Sequence, residues 1–125
     1  MDETTKKRIL VIEDEEALRE AIKIKLELRG IIVDDAGTGE AGLEMLKAHT
    51  PDLVWLDMLL PGINGVEVLR TIRTIPGLEK LKVMVVSVSS GEEKIKEMLA
   101  LGALDYVIKS NYSIDEIVAK AERVL

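Results

Sequence analysis

The chain has 125 residues, 47 % of them hydrophobic, which suits one domain with a buried core. Its 23 acidic residues outnumber 17 basic ones for a formal net charge of -6, so it lacks the basic footprint of a nucleic-acid binder. The absence of cysteine excludes a disulfide framework and thiolate metal sites, and a single histidine, His49, argues against a multi-histidine metal site or a Ser-His-Asp triad.

From the N-terminus, Lys6-Lys7-Arg8 reads as a solvated lead into a first strand, Arg8 to Ile12, whose apolar run is too short for a signal peptide. A helix follows from Glu15 to Arg29, with apolar residues recurring at Leu18, Ile22 and Leu26 and Gly30 placed to close it. A second strand, Ile31 to Asp34, leads to a helix from Glu40 to Ala48 that Thr38 can cap. The third strand, Leu53 to Leu56, precedes a helix from Val66 to Ile75 opened by the capping-box pattern Asn64-x-x-Glu67. The fourth, Lys82 to Val86, precedes a helix from Glu92 to Leu101, with the same pattern at Ser90-x-x-Glu93. The fifth strand, Asp105 to Ile108, is followed by Ser113-x-x-Glu116 and a helix from Ile114 to Leu125. Runs such as ILVI, LVWL and VMVV are apolar on both faces, as strands of a parallel sheet covered by helices on both sides must be. The predicted fold is α/β: a (βα)5 doubly wound parallel five-stranded sheet of flavodoxin-like type, one domain over residues 1–125. No apolar run reaches membrane-spanning length, and a cytoplasmic location is expected.

In such sheets ligands bind beyond the carboxyl ends of the strands, where the strand order reverses. Those ends carry Glu13-Asp14 after strand one, Asp57 after strand three, Ser87 after strand four and Lys109 after strand five. If the order is 2-1-3-4-5, strands one and three are neighbours and Glu13, Asp14 and Asp57 converge. Two carboxylates about 4 Å apart repel by about 4 kcal/mol at an effective dielectric of about 20, so something positive must offset them. Oxygen ligands without imidazole or thiolate point to Mg²⁺, and the Lys109 ammonium supplies a second cation.

Each residue alone has a plainer explanation. Asp14 could cap the first helix, Asp57 could hold the turn that follows it, Lys109 could be a solvated strand-end lysine and Ser87 a small strand residue. Their conjunction at ends that reach one point is what favours a site.

With those residues in place, the chain resembles a response-regulator receiver domain over essentially its whole length. The pair Glu13 and Asp14 in LVIEDEE matches that family's metal-binding acids, and Asp57 matches its phosphoacceptor, with Pro61 four and Gly65 eight residues on. Ser87 fits the family's hydroxyl position, Tyr106 in GALDYVIKS its aromatic switch, and Lys109 its strand-five lysine. The resemblance implies Mg²⁺-dependent phosphorylation of Asp57 by a histidine kinase or phosphotransfer protein, with the Leu59 carbonyl completing the metal shell. Ser87 and Tyr106 would then switch the surface of helix four, strand five and helix five for an output partner. The domain would catalyse only its own phosphorylation and dephosphorylation, with no direct nucleic-acid or membrane partner.

Three positions depart from the family pattern. Ser110 stands where proline is common, so a trans Lys109-Ser110 bond is expected. Val88 occupies a position where a smaller residue usually leaves room for the phosphoryl group. Leu59 and Ser89 offer neither carboxylate nor amide to orient a hydrolytic water. Val88 and Ser110 keep open the alternative of a pseudo-receiver, an interaction module that works without phosphorylation. A haloacid-dehalogenase-type phosphatase would want an acid where Leu59 stands, and a flavodoxin-like nucleotide binder would find Glu13 to Glu16 repulsive to its phosphate. Trp55 and the methionines Met45, Met58, Met84 and Met98 read as packing residues, and His49 as a loop residue.

Overall fold

The apolar runs become strands because β-branched and aliphatic side chains fit a pleated surface buried on both sides. The computed structural model describes residues 6–125. It contains β1 (Arg8–Ile12), α1 (Glu16–Glu27), β2 (Ile32–Ala36), α2 (Gly39–Met45), β3 (Leu53–Leu56), α3 (Gly65–Thr74), β4 (Val83–Ser87), α4 (Glu92–Ala100), β5 (Asp105–Ile108) and α5 (Ile114–Arg123), with a 3-10 turn at Lys109–Asn111. The strands form one parallel sheet in the order β2-β1-β3-β4-β5. Both the doubly wound topology and the order expected from sequence are therefore present. β1, β3 and β5 keep the expected bounds, whereas β2 begins at Ile32 and runs on past Asp34 to Ala36, taking up a second acid, Asp35. Salt bridges from Arg8 to Asp34 and from Arg19 and Lys23 to Asp35 compensate those charges on this edge strand.

Side-chain alternation divides the core in two. Leu10, Ile12, Val54, Leu56, Val83 and Val85 face α3, joined by Val68, Leu69, Ile72 and Met98. Ile9, Val11, Leu53, Trp55, Met84, Val86 and Val107 face α1 and α5, joined by Ile22, Leu26, Ile117 and Val118. Each such aliphatic side chain contributes about 1.5 to 3 kcal/mol when fully buried. Met58, Met84 and Met98 are buried and Met45 partly so, as packing residues should be.

The caps explain where helices begin and end. Thr38 accepts from the Ala41 amide, and Asn64 and Ser113 form complete capping boxes with Glu67 and Glu116. Gly30, at φ +79°, ends α1: its amide bonds the Glu27 carbonyl and the Ile31 amide reaches the Leu26 carbonyl, the Schellman pattern. The box expected at Ser90 and Glu93 does not form. Gly91 is the N-cap of α4, and no side chain bonds the freed amides there. α2 stops at Met45, short of Ala48, and turns through the exposed His49 into β3.

Candidate functional site

Period-two alternation places residues 13, 57 and 109 on the same side of the sheet as Val11, Trp55 and Val107, each just beyond its strand's carboxyl end. The side chains meet there. The Lys109 Nζ lies 2.5 Å from Glu13 Oε1 and 3.1 Å from Asp57 Oδ2, bridging two acids that are almost entirely buried. The remaining oxygens are bonded as well: Glu13 Oε2 accepts from the Glu15 amide at 3.1 Å, and Asp57 Oδ1 accepts from the Leu59 amide at 3.0 Å. Asp57 thus does hold its following turn, while its other oxygen faces the lysine.

Asp14 is exposed and does not cap α1, whose N-cap is Glu15 without a side-chain bond. One carboxylate oxygen from each of Glu13, Asp14 and Asp57 lies within 4.8 Å of the other two. Three carboxylates against one ammonium leave a formal charge of -2, which a divalent cation matches. The donors are hard oxygens and no histidine approaches among the described residues, so the set fits Mg²⁺ rather than a softer metal.

Electrostatics at the site follow from this burial. Desolvation pushes the Glu13 carboxyl above its ordinary pKa; the Lys109 hydrogen bond and the Glu15 amide oppose that shift, and the Asp57 charge adds to it. Burial alone would lower the Lys109 pKa, but the hydrogen bond to Glu13 and the charges of Asp57 and Glu13 outweigh it, so the ammonium is held above its usual value. Lys109 is consequently a fixed cation at neutral pH.

Ser87 ends β4, fully buried, with its Oγ accepting from the Ser89 amide at 3.3 Å. The carbonyl of the same Ser89 accepts from the Tyr106 hydroxyl at 2.8 Å, so one residue connects the two positions expected to act as a switch. Tyr106 is partly buried against the α3-side core, and its hydroxyl also lies 3.4 Å from Met58 Sδ. Neither Met58 nor Ser89 stood out in the sequence as a partner of Tyr106, because the contacts join loops 17 and 48 residues away. Leu59 and Val88 are 51 % and 59 % exposed, two apolar side chains next to the acceptor and the hydroxyl. The Lys109-Ser110 peptide is trans, as expected.

Two features shape the acceptor loop. Gly65, the first residue of α3, approaches so closely that an added Cβ would lie 2.6 Å from the Asp57 carbonyl oxygen and 2.6 Å from Met58 Cα. Gly62 turns the loop at φ +71°. Trp55, two residues before Asp57, is 1 % exposed and its indole Nε1 has no hydrogen-bond partner among the described residues, consistent with a packing role.

Comparison with known proteins agrees with this geometry. The response regulator receiver domain family matches residues 9–122. The phosphate regulon transcriptional regulatory protein PhoB of Rhizobium meliloti (strain 1021) is 36 % identical over 118 residues, covering 94 % of this chain and 52 % of that protein. The transcriptional regulatory protein AfsQ1 of Streptomyces coelicolor is 39 % identical over 101 residues, 81 % of this chain and 44 % of its own. The chain thus spans about half the length of these curated relatives. The chemotaxis protein CheY4 of Vibrio cholerae superposes with a TM-score of 0.89 at 21 % identity, over 97 % of this chain and 100 % of that one, a likeness of fold. The response regulator TrrA of Thermotoga maritima, solved in complex with Mg²⁺-BeF, superposes with a TM-score of 0.81 at 35 % identity, over 95 % of this chain and 99 % of that one.

Proposed function

Because the chain belongs to the response regulator receiver domain family, we propose that it is the phosphoacceptor of a two-component relay, receiving a phosphoryl group on Asp57. The supporting observation is the buried Asp57 carboxylate with Lys109 on one oxygen and two further acids within 4.8 Å.

Glu13, Asp14, Asp57 and the Leu59 backbone carbonyl are the groups that would hold Mg²⁺. When bound, that ion neutralises charge on the transferring phosphoryl group. The protein's own part is positional. The Leu59 amide and Lys109 fix the carboxylate from either end, leaving it oriented rather than freely rotating. An Asp57 oxygen attacks phosphorus; the new O–P bond forms as the N–P bond of a phosphohistidine breaks and the imidazole leaves with that electron pair. Lys109 offers its ammonium to the developing charge on the phosphoryl oxygens, and it needs no proton transfer to do so. Ser87 retains a hydroxyl hydrogen to donate to a phosphoryl oxygen, since its bond with Ser89 uses only its acceptor capacity. Through Ser89, that contact reaches Tyr106, biasing the α4, β5 and α5 surface read by an output partner.

The donor in this reading is a histidine kinase or phosphotransfer protein, and the setting is cytoplasmic; no helix of the described residues is long and apolar enough to cross a membrane. The test is intact-mass analysis after incubation with acetyl phosphate and Mg²⁺. One added phosphoryl group on the wild type, absent without Mg²⁺ and absent from Asp57→Asn, is the expected result. An unlabelled wild type in Mg²⁺ would overturn the reading and leave the pseudo-receiver in its place.

A further inference from the structure

At the end of the sheet opposite Asp57, the Arg73 side chain makes the densest set of bonds formed by any side chain of the described residues. Its Nε donates to the Leu101 carbonyl at 2.8 Å, and Nη2 donates to the Gly102 carbonyl at 3.1 Å. Its Nη1 donates to the carbonyls of Leu81 at 2.8 Å and Leu78 at 3.3 Å. All four acceptors are neutral, and they come from two separate segments. Leu101 and Gly102 follow the last turn of α4, where carbonyls lack helical partners and the helix dipole is negative. Leu78 and Leu81 lie in the connection between α3 and β4. Gly102 adopts φ +85° and presents no side chain, and a Cβ there would meet the guanidinium at 3.4 Å.

The two ends of α4 are held very differently. Met98, near the C-terminus, is the helix's one buried residue. At the N-terminus Gly91 supplies no side-chain cap, a Cβ placed on it would meet nothing within 4 Å, and Val88 is exposed. We propose that Arg73 is a positioning residue for the switch: its guanidinium pins the C-terminal end of α4 to α3 and the α3–β4 connection, so that rearrangement near Ser87 moves the N-terminal half of α4 alone. This inference rests on the receiver function for its consequence, but not for the anchoring itself.

Only a planar fork can serve four carbonyls from two segments at once, so Lys at this position keeps the charge and loses most of the clamp. Hydrogen exchange read by mass spectrometry tests the assignment on wild type, Arg73→Lys, Arg73→Met and Gly102→Ala. Each is measured in Mg²⁺ alone and in Mg²⁺ with beryllofluoride, a phosphoryl mimic. In the wild type, amides of residues 98–103 should exchange about tenfold more slowly than those of 95–97, which like them carry backbone hydrogen bonds. Beryllofluoride should alter exchange over 88–96 and leave 98–103 unchanged. In Arg73→Met the gradient should vanish and the beryllofluoride response should spread along the whole helix, with Arg73→Lys intermediate and Asp57 still labelled by acetyl phosphate. Gly102→Ala, which is strained at φ +85° and so shifts the carbonyls that the guanidinium binds, should act in the same direction. Equal protection along wild-type α4, or a wild-type beryllofluoride response as large at 98–103 as at 88–96, would overturn the proposal. A wild-type gradient that persists undiminished in Arg73→Met would overturn it equally, and Arg73→Lys carries that comparison where Arg73→Met fails to fold. If beryllofluoride has no effect on any segment while the gradient still depends on Arg73, the receiver function fails and the anchor stands.

Discussion

Replacing Lys109 by Met tests whether charge, rather than packing, organises the acidic cluster. The substitution keeps an unbranched stem of similar bulk and removes the ammonium that lies within 3.1 Å of both buried acids. Glu13 and Asp57 then face each other with carboxylate oxygens no more than 4.8 Å apart. At an effective dielectric of about 20 that pair repels by about 3.5 kcal/mol, in line with the roughly 3 to 5 kcal/mol lost when one partner of a buried ion pair is removed. For a chain of this length, a loss of about 3 kcal/mol lowers the melting temperature by roughly 12 °C.

The decisive comparison is urea unfolding of wild type and variant, each in EDTA and in saturating Mg²⁺. A cation bound at about a hundred times its dissociation constant adds about 2.7 kcal/mol of stability. It should stabilise the variant more than the wild type, where Lys109 already occupies part of the field. The expected result is a deficit of about 3 kcal/mol in EDTA that shrinks by more than half in Mg²⁺. An equal deficit in both buffers would mean that Lys109 acts by packing. No deficit in EDTA would mean that Glu13 and Asp57 do not repel, and the electrostatic account of the site would fail.

Other consequences can be measured independently. Leu59→Asn introduces a group able to hold a hydrolytic water beside Asp57; a hydrogen bond worth about 1 kcal/mol in the transition state should shorten the aspartyl-phosphate half-life about fivefold, followed by intact mass. Val88→Ala should speed labelling by acetyl phosphate if the branched side chain narrows access, and equal rates would refute that. Ser113→Ala should cost about 1 kcal/mol by removing a formed capping box, whereas Ser90→Ala should leave denaturant stability unchanged because no box forms there. Asp115 is held below its ordinary pKa by its hydrogen bond to Lys25, so its contribution is present above the ordinary value of 3.8 and is lost as pH falls through the lower folded value. Stability curves of wild type and Asp115→Asn should therefore converge in acid, and a gap that widened there would contradict the assignment.

The parts of the site readable from sequence are those set by short-range periodicity. Once strands end at Ile12, Leu56 and Ile108, alternation sends residues 13, 57 and 109 to one side, and the topology of a parallel sheet brings those ends together. That is why Glu13, Asp14, Asp57 and Lys109 could be grouped without a structure. The same reasoning placed Trp55 in the core, on the strand that leads to Asp57. It did not show that both Glu13 oxygens are already engaged, by Lys109 and the Glu15 amide, because such pairing depends on rotamers rather than on periodicity.

Other features were unreadable for physical reasons specific to each residue. Ser90 and Glu93 have the spacing of a capping box, but spacing fixes nothing about backbone angles, and α4 begins one residue later with Gly91 as its cap. A box at Asn64 or Ser113 forms where the following helix buries several apolar side chains that hold its first turn in place; α4 buries only Met98, far from its start. Arg73 is the clearest omission. In sequence it is a basic residue in the last turn of a helix, favourable to that helix's own dipole and otherwise ordinary. Its four acceptors lie 5 to 29 residues away and are main-chain carbonyls, which every residue possesses, so no pattern of side chains could have announced them. A site made from side chains leaves its signature in composition and spacing, whereas an anchor made by one side chain on the backbone appears only when the chain is folded.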